Sequence, residues 1–391
     1  MTGERLVLLS DLHLGSGAEA AGWGPGFADE FDGDDAFPEF LAYLSTRDDP
    51  PDRLVLLGDT VDFLRVPVSG SRAGLYARTD AEAVGQLDRV ALAHPRVFAA
   101  LAEALRAGVA IDVVVGNHDL ELARPAVRDR LRALLLPAGS AAAAGRLRVH
   151  QWGYHLPGLL YAEHGNHFHD INTVHRPLQP FRRGGSVERP PAARLGGLRR
   201  VALRGPARSL ARDAVSDLLP RHHPDRAARR AYLAGALPGY AAGLGLPADT
   251  VLRLHEMGRA SPARTVRRLV RAGLAGGPAF AEQLPAVAAA VHEVLGAAGR
   301  GAAFYVFGHA HEARHARLPG TAACYLNTGT WSTDVRGPRE ATEPARRTWV
   351  EILPGQGGRP AAAALLRWAG GPVALPGPVD RDERPAVRDR S

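Results

Sequence analysis

Short apolar runs that alternate with helical patterns are the feature that most constrains this chain. The runs RLVLLS (5–10), RLVLL (53–57) and IDVVV (111–115) are typical of buried strands. Between the last two runs, residues 95–108 place apolar side chains at helical spacing, with Pro95 at the start and a glycine at the end. This order of strand, helix and strand predicts an α/β fold. Further strands are predicted at 159–164, 302–309, 322–329 and 347–353.

Polar motifs follow the predicted strands, where a buried core would not tolerate them. Asp11 and His13 are two residues apart, so an extended backbone places both side chains on one face. His309 and His311 repeat this spacing. The carboxyl ends of strands are where open α/β sheets collect their sites. Neighbouring glycines permit the sharp turns that let such side chains converge, namely Gly58, Gly116, Gly165 and Gly308.

The donor atoms of these motifs suit divalent cations. Oxygen and imidazole ligands without sulfur favour manganese, iron, zinc or cobalt over copper, and the single cysteine, Cys324, excludes a thiolate cluster. Seven ligands are too many for one tetrahedral site, but they fit two ions roughly 3.5–4 Å apart if one carboxylate bridges them. Such a pair of cations would attract a phosphate. The seven predicted ligands are Asp11, His13, Asp59, Asn117, His164, His309 and His311.

The motifs DLH, GDTVD, GNHD, HGNHFH and GHAH occur in an order that resembles the calcineurin-like metallophosphoesterase family. The resemblance covers about 1–169 and 300–355 and implies a four-layer α/β/β/α sandwich. It implies two divalent ions, with manganese favoured and Asp59 as the bridging ligand. The first ion would be held by Asp11, His13, Asp59 and His311. The second would be held by Asp59, Asn117, His164 and His309.

The resemblance also implies catalytic roles for two residues of the GNHD motif. His118 would contact the phosphate and donate a proton to the leaving oxygen, and Asp119 would orient His118. The pattern from HGNHFHDIN to YLNTGTW is similar to the UDP-2,3-diacylglucosamine pyrophosphatase-like branch, whose lipid A enzymes typically carry Arg at the position of His118. The hypothesis is that a metal-bridging hydroxide hydrolyses a phosphate monoester, diester or pyrophosphate.

Three alternatives to this hypothesis stay open. The first is a manganese-dependent nuclease, although no interleaved aromatic residues mark a nucleic-acid platform, so nucleic acid ranks below a small phosphorylated substrate. The second is a non-catalytic binding scaffold with the same fold. The third is a peripheral membrane hydrolase of phospholipids or nucleotide-linked lipids. The sequence does not indicate an oligomeric state.

Residues 170–300 interrupt the alternation of strands and helices, and we interpret them as a helical insertion, or cap, in a core formed by 1–169 and 301–355. Within this region, residues 171–280 carry 20 Arg against 6 Asp and Glu. These arginines either solvate helix faces or clamp a phosphate and steer an anionic partner. The tail, 370–391, has little core-forming content and is predicted to be disordered.

Several polar residues allow two interpretations. Asp62 either supports a ligand from behind or holds its own loop. Three histidines, His167, His169 and His175, either line the substrate entrance or are ordinary loop residues. The acidic run at 28–40 lacks EF-hand spacing and is predicted to be a solvated loop followed by an amphipathic helix.

The N-terminus lacks the basic and apolar regions of a signal peptide, so a cytoplasmic location is expected, with a membrane-peripheral one as the alternative. The uncharged stretch at 231–248 is broken by Gly and Pro and is not predicted to span a membrane.

Overall fold

The computed structural model describes most of the chain as a mixed α/β structure with twelve strands and seven helices. The described residues are 3–17, 29–68, 76–136, 145–169, 172–174, 176–181, 185–190, 226–257, 280–333, 346–355 and 360–378. The strands are β1 (Leu6–Leu9), β2 (Arg53–Leu57), β3 (Ala110–Val114), β4 (Leu147–His150), β5 (Gly153–Leu156), β6 (Leu160–Glu163), β7 (Phe304–Phe307), β8 (Ala313–Arg317), β9 (Cys324–Thr328), β10 (Thr348–Leu353), β11 (Ala362–Trp368) and β12 (Pro372–Ala374). The helices are α1 (Ala36–Thr46), α2 (Asp80–Ala93), α3 (Pro95–Arg106), α4 (Pro125–Leu135), α5 (Arg226–Leu244), α6 (Ala248–Met257) and α7 (Phe280–Ala297).

The strands form two mixed sheets. The first sheet has seven strands in the order β12-β11-β10-β1-β2-β3-β4, with β1 to β4 parallel and β10 antiparallel to β1. The second sheet has five strands in the order β5-β6-β7-β9-β8, with β6, β7 and β9 parallel. Each sheet therefore has parallel strands at its centre, and their carboxyl ends can bring loops together.

Period-two alternation explains how β1 serves two apolar cores. Leu6 and Leu8 pack in a cluster that also contains Leu160 and Val306 of the second sheet. Val7 and Leu9 face the other way, into a cluster shared with helices α1 to α4. A third cluster joins helices α5 to α7 to the second sheet. Because the clusters lie on both faces of the central strands, those strands are apolar throughout, as parallel strands usually are.

The sequence predictions for the core elements are confirmed. The apolar runs predicted as strands at 5–10, 53–57 and 111–115 correspond to β1, β2 and β3. Helix α3 begins at Pro95, whose fixed φ and missing N–H suit the first helical position. The acidic run is followed by the amphipathic helix α1, which buries Phe37 and Phe40.

The predicted insertion at 170–300 contains α5, α6 and α7, and these helices share their apolar cluster with Tyr161 and Tyr305 of the second sheet. Residues 191–225 and 258–279 lie outside the described residues. Among the helices that are described, none has both the length and the apolarity to cross a bilayer.

At the C-terminus, residues 372–374 of the predicted disordered tail instead form the edge strand β12, which pairs with β11 and needs little core of its own. Residues 379–391 lie outside the description.

Candidate metal centre

The loops after β1 and β2 run side by side and bring together the first two polar motifs. The amide of Asp11 donates to Gly58 O at 3.1 Å, and the amide of His13 donates to Asp59 O at 2.9 Å. The side chains of Asp11, His13 and Asp59 are buried where the strands end. The loop after β3 joins them because the amide of His118 donates to Asp59 Oδ1 at 2.8 Å.

The backbone of this site adopts a conformation that side chains with a Cβ rarely tolerate. Six non-glycine residues of the described chain have positive φ, with values from 51° to 67°. Five of these six are among the predicted metal ligands: Asp11, His13, Asp59, His309 and His311. A left-handed residue costs of order 1–2 kcal/mol, so such strain concentrated in one place is typical of a functional site.

Glycines let the loops approach closely, as the sequence predicted. A Cβ on Gly116 would lie 2.2 Å from Asp59 Oδ1 and 2.6 Å from the Asp59 amide nitrogen. A Cβ on Gly308 would lie 2.4 Å from Ser10 Oγ. Gly58 has φ 88°, and a Cβ there would meet the ring of His164 at 2.4 Å. Each of these positions therefore excludes any larger residue without a shift of the site.

One group of ligand atoms joins the two sheets around Asp11. His311 Nε2 lies 3.1 Å from Asp11 Oδ1, and His13 Nε2 lies 3.7 Å from the same oxygen. The two imidazole nitrogens are 3.2 Å apart. One donor atom from each of these three residues falls within 4.8 Å of the others, a geometry that could hold a metal ion.

A second group lies around Asp59 and meets the same distance criterion with His164 and His309. His164 Nε2 is 3.1 Å from Asp59 Oδ2 and 3.9 Å from Asp11 Oδ1. Asp59 Oδ2 is also 3.7 Å from His13 Nε2, so this carboxylate lies between the two groups. The structure thus brings together six of the seven predicted ligand side chains, all except Asn117.

Three buried atoms of the predicted ligand set make no hydrogen bond: Asn117 Oδ1, and Asp11 Oδ1 and His164 Nε2, each of which lies 3.1 Å from another predicted ligand. Buried polar atoms without a partner are rare and need an explanation, and an ion is one. Neighbouring atoms of the same residues are firmly held: His164 Nδ1 contacts Leu57 O at 2.9 Å, and the His309 amide donates to Asp11 Oδ2 at 3.0 Å. The donor set therefore fits a metal cofactor.

Electrostatics keep several of these groups in the protonation state that a cation requires. Burial alone would raise the pKa of Asp11, but the facing imidazoles of His164 and His311 hold it well below its ordinary value. The same balance of burial against His164 and His118 lowers the pKa of Asp59. Burial, together with the nearby His164, lowers the pKa of His309 far below its usual range, so that its imidazole stays neutral.

His164 behaves differently in the absence of a cation. Although burial opposes its charge, Asp59 and Asp11 raise its pKa to about 9. A proton therefore occupies this histidine at neutral pH, and a binding cation would have to displace it.

The structure corrects one role that the resemblance implied. The carboxylate that contacts the imidazole of His118 is Asp62, with Nδ1 and Oδ1 2.8 Å apart. Asp119 instead accepts hydrogen bonds from the amides of Gly116 and Thr60, at 2.5 and 2.9 Å. It braces the loop after β3 against the loop after β2. Burial and the nearby Asp59 raise the pKa of Asp119 to about 7.

Asp62 combines the two interpretations that its motif allowed: it lies behind the predicted ligands, and its Oδ1 also accepts from the Leu64 amide of its own loop at 3.1 Å. Its Oδ2 atom lies 3.3 Å from His13 Nδ1, so one carboxylate contacts both His13 and His118. Burial would raise the pKa of Asp62, but these two histidines hold it well below its ordinary value. The side chain of His118 is 23% exposed, whereas that of Asp62 is fully buried, so the imidazole can reach a bound molecule while its partner cannot.

Of the three histidines that follow His164, the structure describes two, and these two have different surroundings. His169 Nδ1 lies 2.9 Å from His309 Nε2, and the ring of His169 stacks on Phe280 at 4.2 Å. His167 is buried against Trp152, with ring centroids 4.4 Å apart, and does not line an entrance. His175 lies outside the described residues.

Two supporting residues were not predicted from the sequence as part of the site. Ser10 contacts Asp11 Oδ2 and lies 2.6 Å from Thr328 Oγ1 at the end of β9, so it links the predicted ligand Asp11 to the second sheet. Asn172 contacts His309 Nε2 at 3.1 Å. Ser10 and Asn172 do adjoin predicted motifs, and that proximity is the one signal that could have found them.

No known protein-family model and no curated protein matches this chain. Among solved structures, the chain is similar to phosphopantetheinyl hydrolase (PptH) from Mycobacterium tuberculosis, at 13% sequence identity and a TM-score of 0.27. That match covers 88% of this chain and 100% of the other. A TM-score this low is not evidence for a shared fold.

Proposed function

We propose that this protein is a phosphoesterase with two divalent cations, manganese favoured, in the calcineurin-like metallophosphoesterase family. The observation that carries the proposal is the convergence of two donor groups, each built from both sheets, on either side of Asp59. Three apolar clusters, one between the sheets and one on the outer side of each, support the four-layer sandwich of that family.

The seven predicted ligands divide between two ions that share Asp59. As the resemblance implies, the first set is Asp11, His13, Asp59 and His311, and the second is Asp59, Asn117, His164 and His309; the close groups Asp11–His13–His311 and Asp59–His164–His309 support this division. Bound divalent cations would supply Lewis acidity toward a phosphoryl oxygen and lower the pKa of water to about 7. The chain itself contributes ionised carboxylates and a neutral His309, which need no proton removal before they ligate.

His118 is well placed to move a proton at the site, because its side chain is 23% exposed. Its Nδ1 contacts Asp62, so Nε2 is the ring atom left to face a bound substrate. A carboxylate that accepts from Nδ1–H fixes the tautomer and orientation of the imidazole. We infer that imidazolium Nε2–H of His118 protonates the departing oxygen, and that Asp62 holds the ring for this step.

Metal analysis combined with substrate hydrolysis tests the proposal. We expect purified protein equilibrated with Mn²⁺ to bind two ions per chain and to hydrolyse bis-p-nitrophenyl phosphate, and a chelator to abolish both. A panel with a monoester, a diester and a pyrophosphate would then define the substrate class. Metal binding without hydrolysis of any ester would favour the binding scaffold, and absence of both would exclude the proposal.

Asp62→Asn sharpens this test because it alters a group that touches two site histidines but is itself no predicted ligand. Loss of such an outer partner costs roughly 10–100-fold in activity or metal affinity. Asp88→Asn is the matched control, since Asp88 pairs with Arg130 at 2.6 Å on helices α2 and α4. Unchanged kinetics in Asp62→Asn would contradict the role of Asp62.

Separate experiments test the two alternatives, a nuclease and a peripheral membrane hydrolase. The Arg-rich stretches at 191–225 and 258–279, which would decide a nucleic-acid or lipid surface, are not among the described residues. Degradation of single-stranded DNA with Mn²⁺ would favour a nuclease. Flotation with anionic liposomes would favour a peripheral membrane enzyme.

A further inference from the structure

The loop that carries His118 is anchored on both sides. Upstream, Asp119 accepts from the Gly116 amide, and the His118 amide donates to Asp59. Downstream, a single 3-10 turn, Leu120–Ala123, is buried along its whole length. The side chain of Glu121 lies in this turn with no exposed surface. A buried carboxylate requires a partner, so the residue that faces Glu121 helps to define where the loop lies.

That partner is Arg189, which is 68 residues away in the sequence. It belongs to a segment, residues 185–190, that we call the strap. Both terminal nitrogens of Arg189 contact the two oxygens of Glu121, one of them at 3.1 Å, in a bidentate arrangement. The guanidinium also lies 4.6 Å from the ring centre of Tyr76. Arg189 is 5% exposed, so the pair is removed from solvent.

The strap is fixed by further contacts near the same turn. Arg124, directly after the turn, donates to Gly185 O at 2.8 Å and to Asp80 Oδ1 at 2.7 Å. Val187 is buried in the apolar cluster of the first sheet and forms a bridge with Phe181. The strap therefore offers Glu121 a rigid partner.

Energetics suggest what this pair does. Replacing a buried ion pair by apolar residues of similar size is often neutral or stabilising, so stability alone does not explain a pair like this one. A bidentate arginine–carboxylate contact does fix orientation, because two parallel hydrogen bonds define a plane. Because Glu121 lies three residues after His118, this constraint acts on the loop that carries the proposed proton donor.

We propose that Glu121 and Arg189 are positioning residues that hold the loop of His118 in register for proton donation. The inference rests on the proposed function, in which His118 protonates the leaving oxygen. Neither residue contacts a predicted metal ligand or the reacting atoms. Their effect reaches the reaction through the buried turn and the two peptide bonds that separate Glu121 from Asp119.

The double substitution Glu121→Leu with Arg189→Met removes the pair without leaving a buried charge. The matched control is Asp88→Leu with Arg130→Met, which removes an arginine–carboxylate pair from α2 and α4. Two diesters serve as probes: bis-p-nitrophenyl phosphate has a good leaving group, and diphenyl phosphate has a poor one. We expect hydrolysis of the poor ester, relative to the good one, to fall about 10-fold in the double variant. The control should keep the wild-type ratio.

A second background separates positioning from a general loss of structure. In His118→Ala the proton donor is absent, so adding the Glu121 and Arg189 substitutions should not lower the ratio further. Hydrogen–deuterium exchange gives a readout that needs no activity, and amides of residues 117–123 should exchange faster in the double variant only. A conservative variant, Arg189→Lys, should fall between wild type and double variant because it keeps the charge but loses the bidentate geometry.

The outcomes are distinguishable. An active wild type whose double variant keeps the wild-type ratio would overturn the inference and leave the proposed function intact. Equal losses with and without His118 would also overturn it, because the pair would then act on structure alone. A wild type that binds no metal and hydrolyses neither ester would defeat the proposed function. In that case, unchanged exchange at 117–123 would overturn the inference, and faster exchange would support the anchoring of the loop.

Discussion

The two sheets contribute chemically different halves to one site. The loops of the first sheet provide both carboxylates and the amide of the predicted ligand set, together with His13. The loops of the second sheet provide imidazoles only: His164, His309 and His311. Each candidate ion group draws on both halves, since His311 joins the group of Asp11, and His164 and His309 join that of Asp59. Packing of the two sheets, rather than either sheet alone, therefore creates the site.

The halves also differ in what lies behind the ligands. Asp62, Asp119 and the loop of His118 surround the first half, so the group proposed to donate a proton to the substrate belongs there. Behind the second half lie aromatic and imidazole rings, including the stack of His169 on Phe280. Substitutions in the first half should therefore affect metal binding and proton transfer separately, whereas those in the second should act mainly on metal binding.

Asp59→Ala should have the largest effect, because Asp59 is the ligand that the proposed site shares between its two ions, and its Oδ2 lies 3.7 Å from His13 Nε2 and 3.1 Å from His164 Nε2. We expect both ions to be lost and hydrolysis to fall more than 100-fold, roughly the most that loss of an outer partner alone costs. Elemental analysis and a diesterase assay measure this, with Asp88→Ala as control. Retention of two ions per chain would show that the two groups are independent.

His118→Ala should come next, and it separates proton transfer from metal binding. Loss of a general acid typically costs about 10²–10⁴-fold, and the loss should be greatest for poor leaving groups, which need the proton most. The metal content should stay that of wild type. Comparing several aryl diesters of graded leaving-group pKa gives the measurement, and equal losses across the series would contradict the role of proton donor.

The sequence predicts which polar residues lie at the ends of strands, because the apolar runs show where each strand stops. Asp11, Asn117 and His164 follow apolar runs, and parallel strands deliver their ends to a common edge. The role of Asp62 could not be assigned in this way, because it depends on a loop whose residues Asp59 and Gly58 have positive φ. No periodic pattern encodes such a turn.

Contacts between residues that are far apart in the sequence could not be predicted either. Nothing in the spacing of Glu121 and Arg189 links them, because the strap reaches the turn through tertiary packing. Strand β8 was also missed: its residues ARHAR are mostly polar and half-buried, so they lack the apolar run that marked the central strands. The sequence therefore reveals motifs anchored to buried strands, and tertiary contacts determine which neighbours support them.

Gly116→Ala tests how closely the loop after β3 packs against the loop after β2 in the first half of the site. The added Cβ would meet Asp59 Oδ1 and backbone atoms of Asp59, which cannot move without disturbing the ligand. We expect a loss of about 1–3 kcal/mol in the free energy of unfolding, as for other overpacked sites, and weaker metal binding. Gly85→Ala is the control, since helix α2 leaves open space around that position and the change should stabilise by about 0.4–1 kcal/mol. Similar stability changes in both variants, by chemical denaturation, would contradict the close contact.

The last expected effect concerns pH and the second half, where β6 buries Glu163 directly before His164. Burial raises the pKa of Glu163 to about 8, although Tyr161 Oη–H donates to Oε1 at 3.1 Å. In the unfolded chain this carboxyl loses its proton near its ordinary value of 4.5, whereas the folded protein keeps the proton until about pH 8. Folding therefore binds a proton between those values, and the stability of metal-free protein should fall as pH rises through that window.

Glu163→Gln keeps the size and the acceptor for Tyr161 but cannot ionise, so it isolates this contribution. Between about pH 5 and pH 8, wild type should lose up to about 1.4 kcal/mol per pH unit relative to the variant, the limit for one proton. Asp119, with a pKa raised to about 7, adds a decline of the same sign, but it is present in both proteins and cancels in the difference. Urea denaturation in chelator at several pH values measures the difference, and parallel curves would mean that Glu163 is already ionised in the folded protein. If added Mn²⁺ makes the stability curves of wild type and Glu163→Gln converge, the proton on Glu163 is linked to metal binding by the histidines of the second sheet.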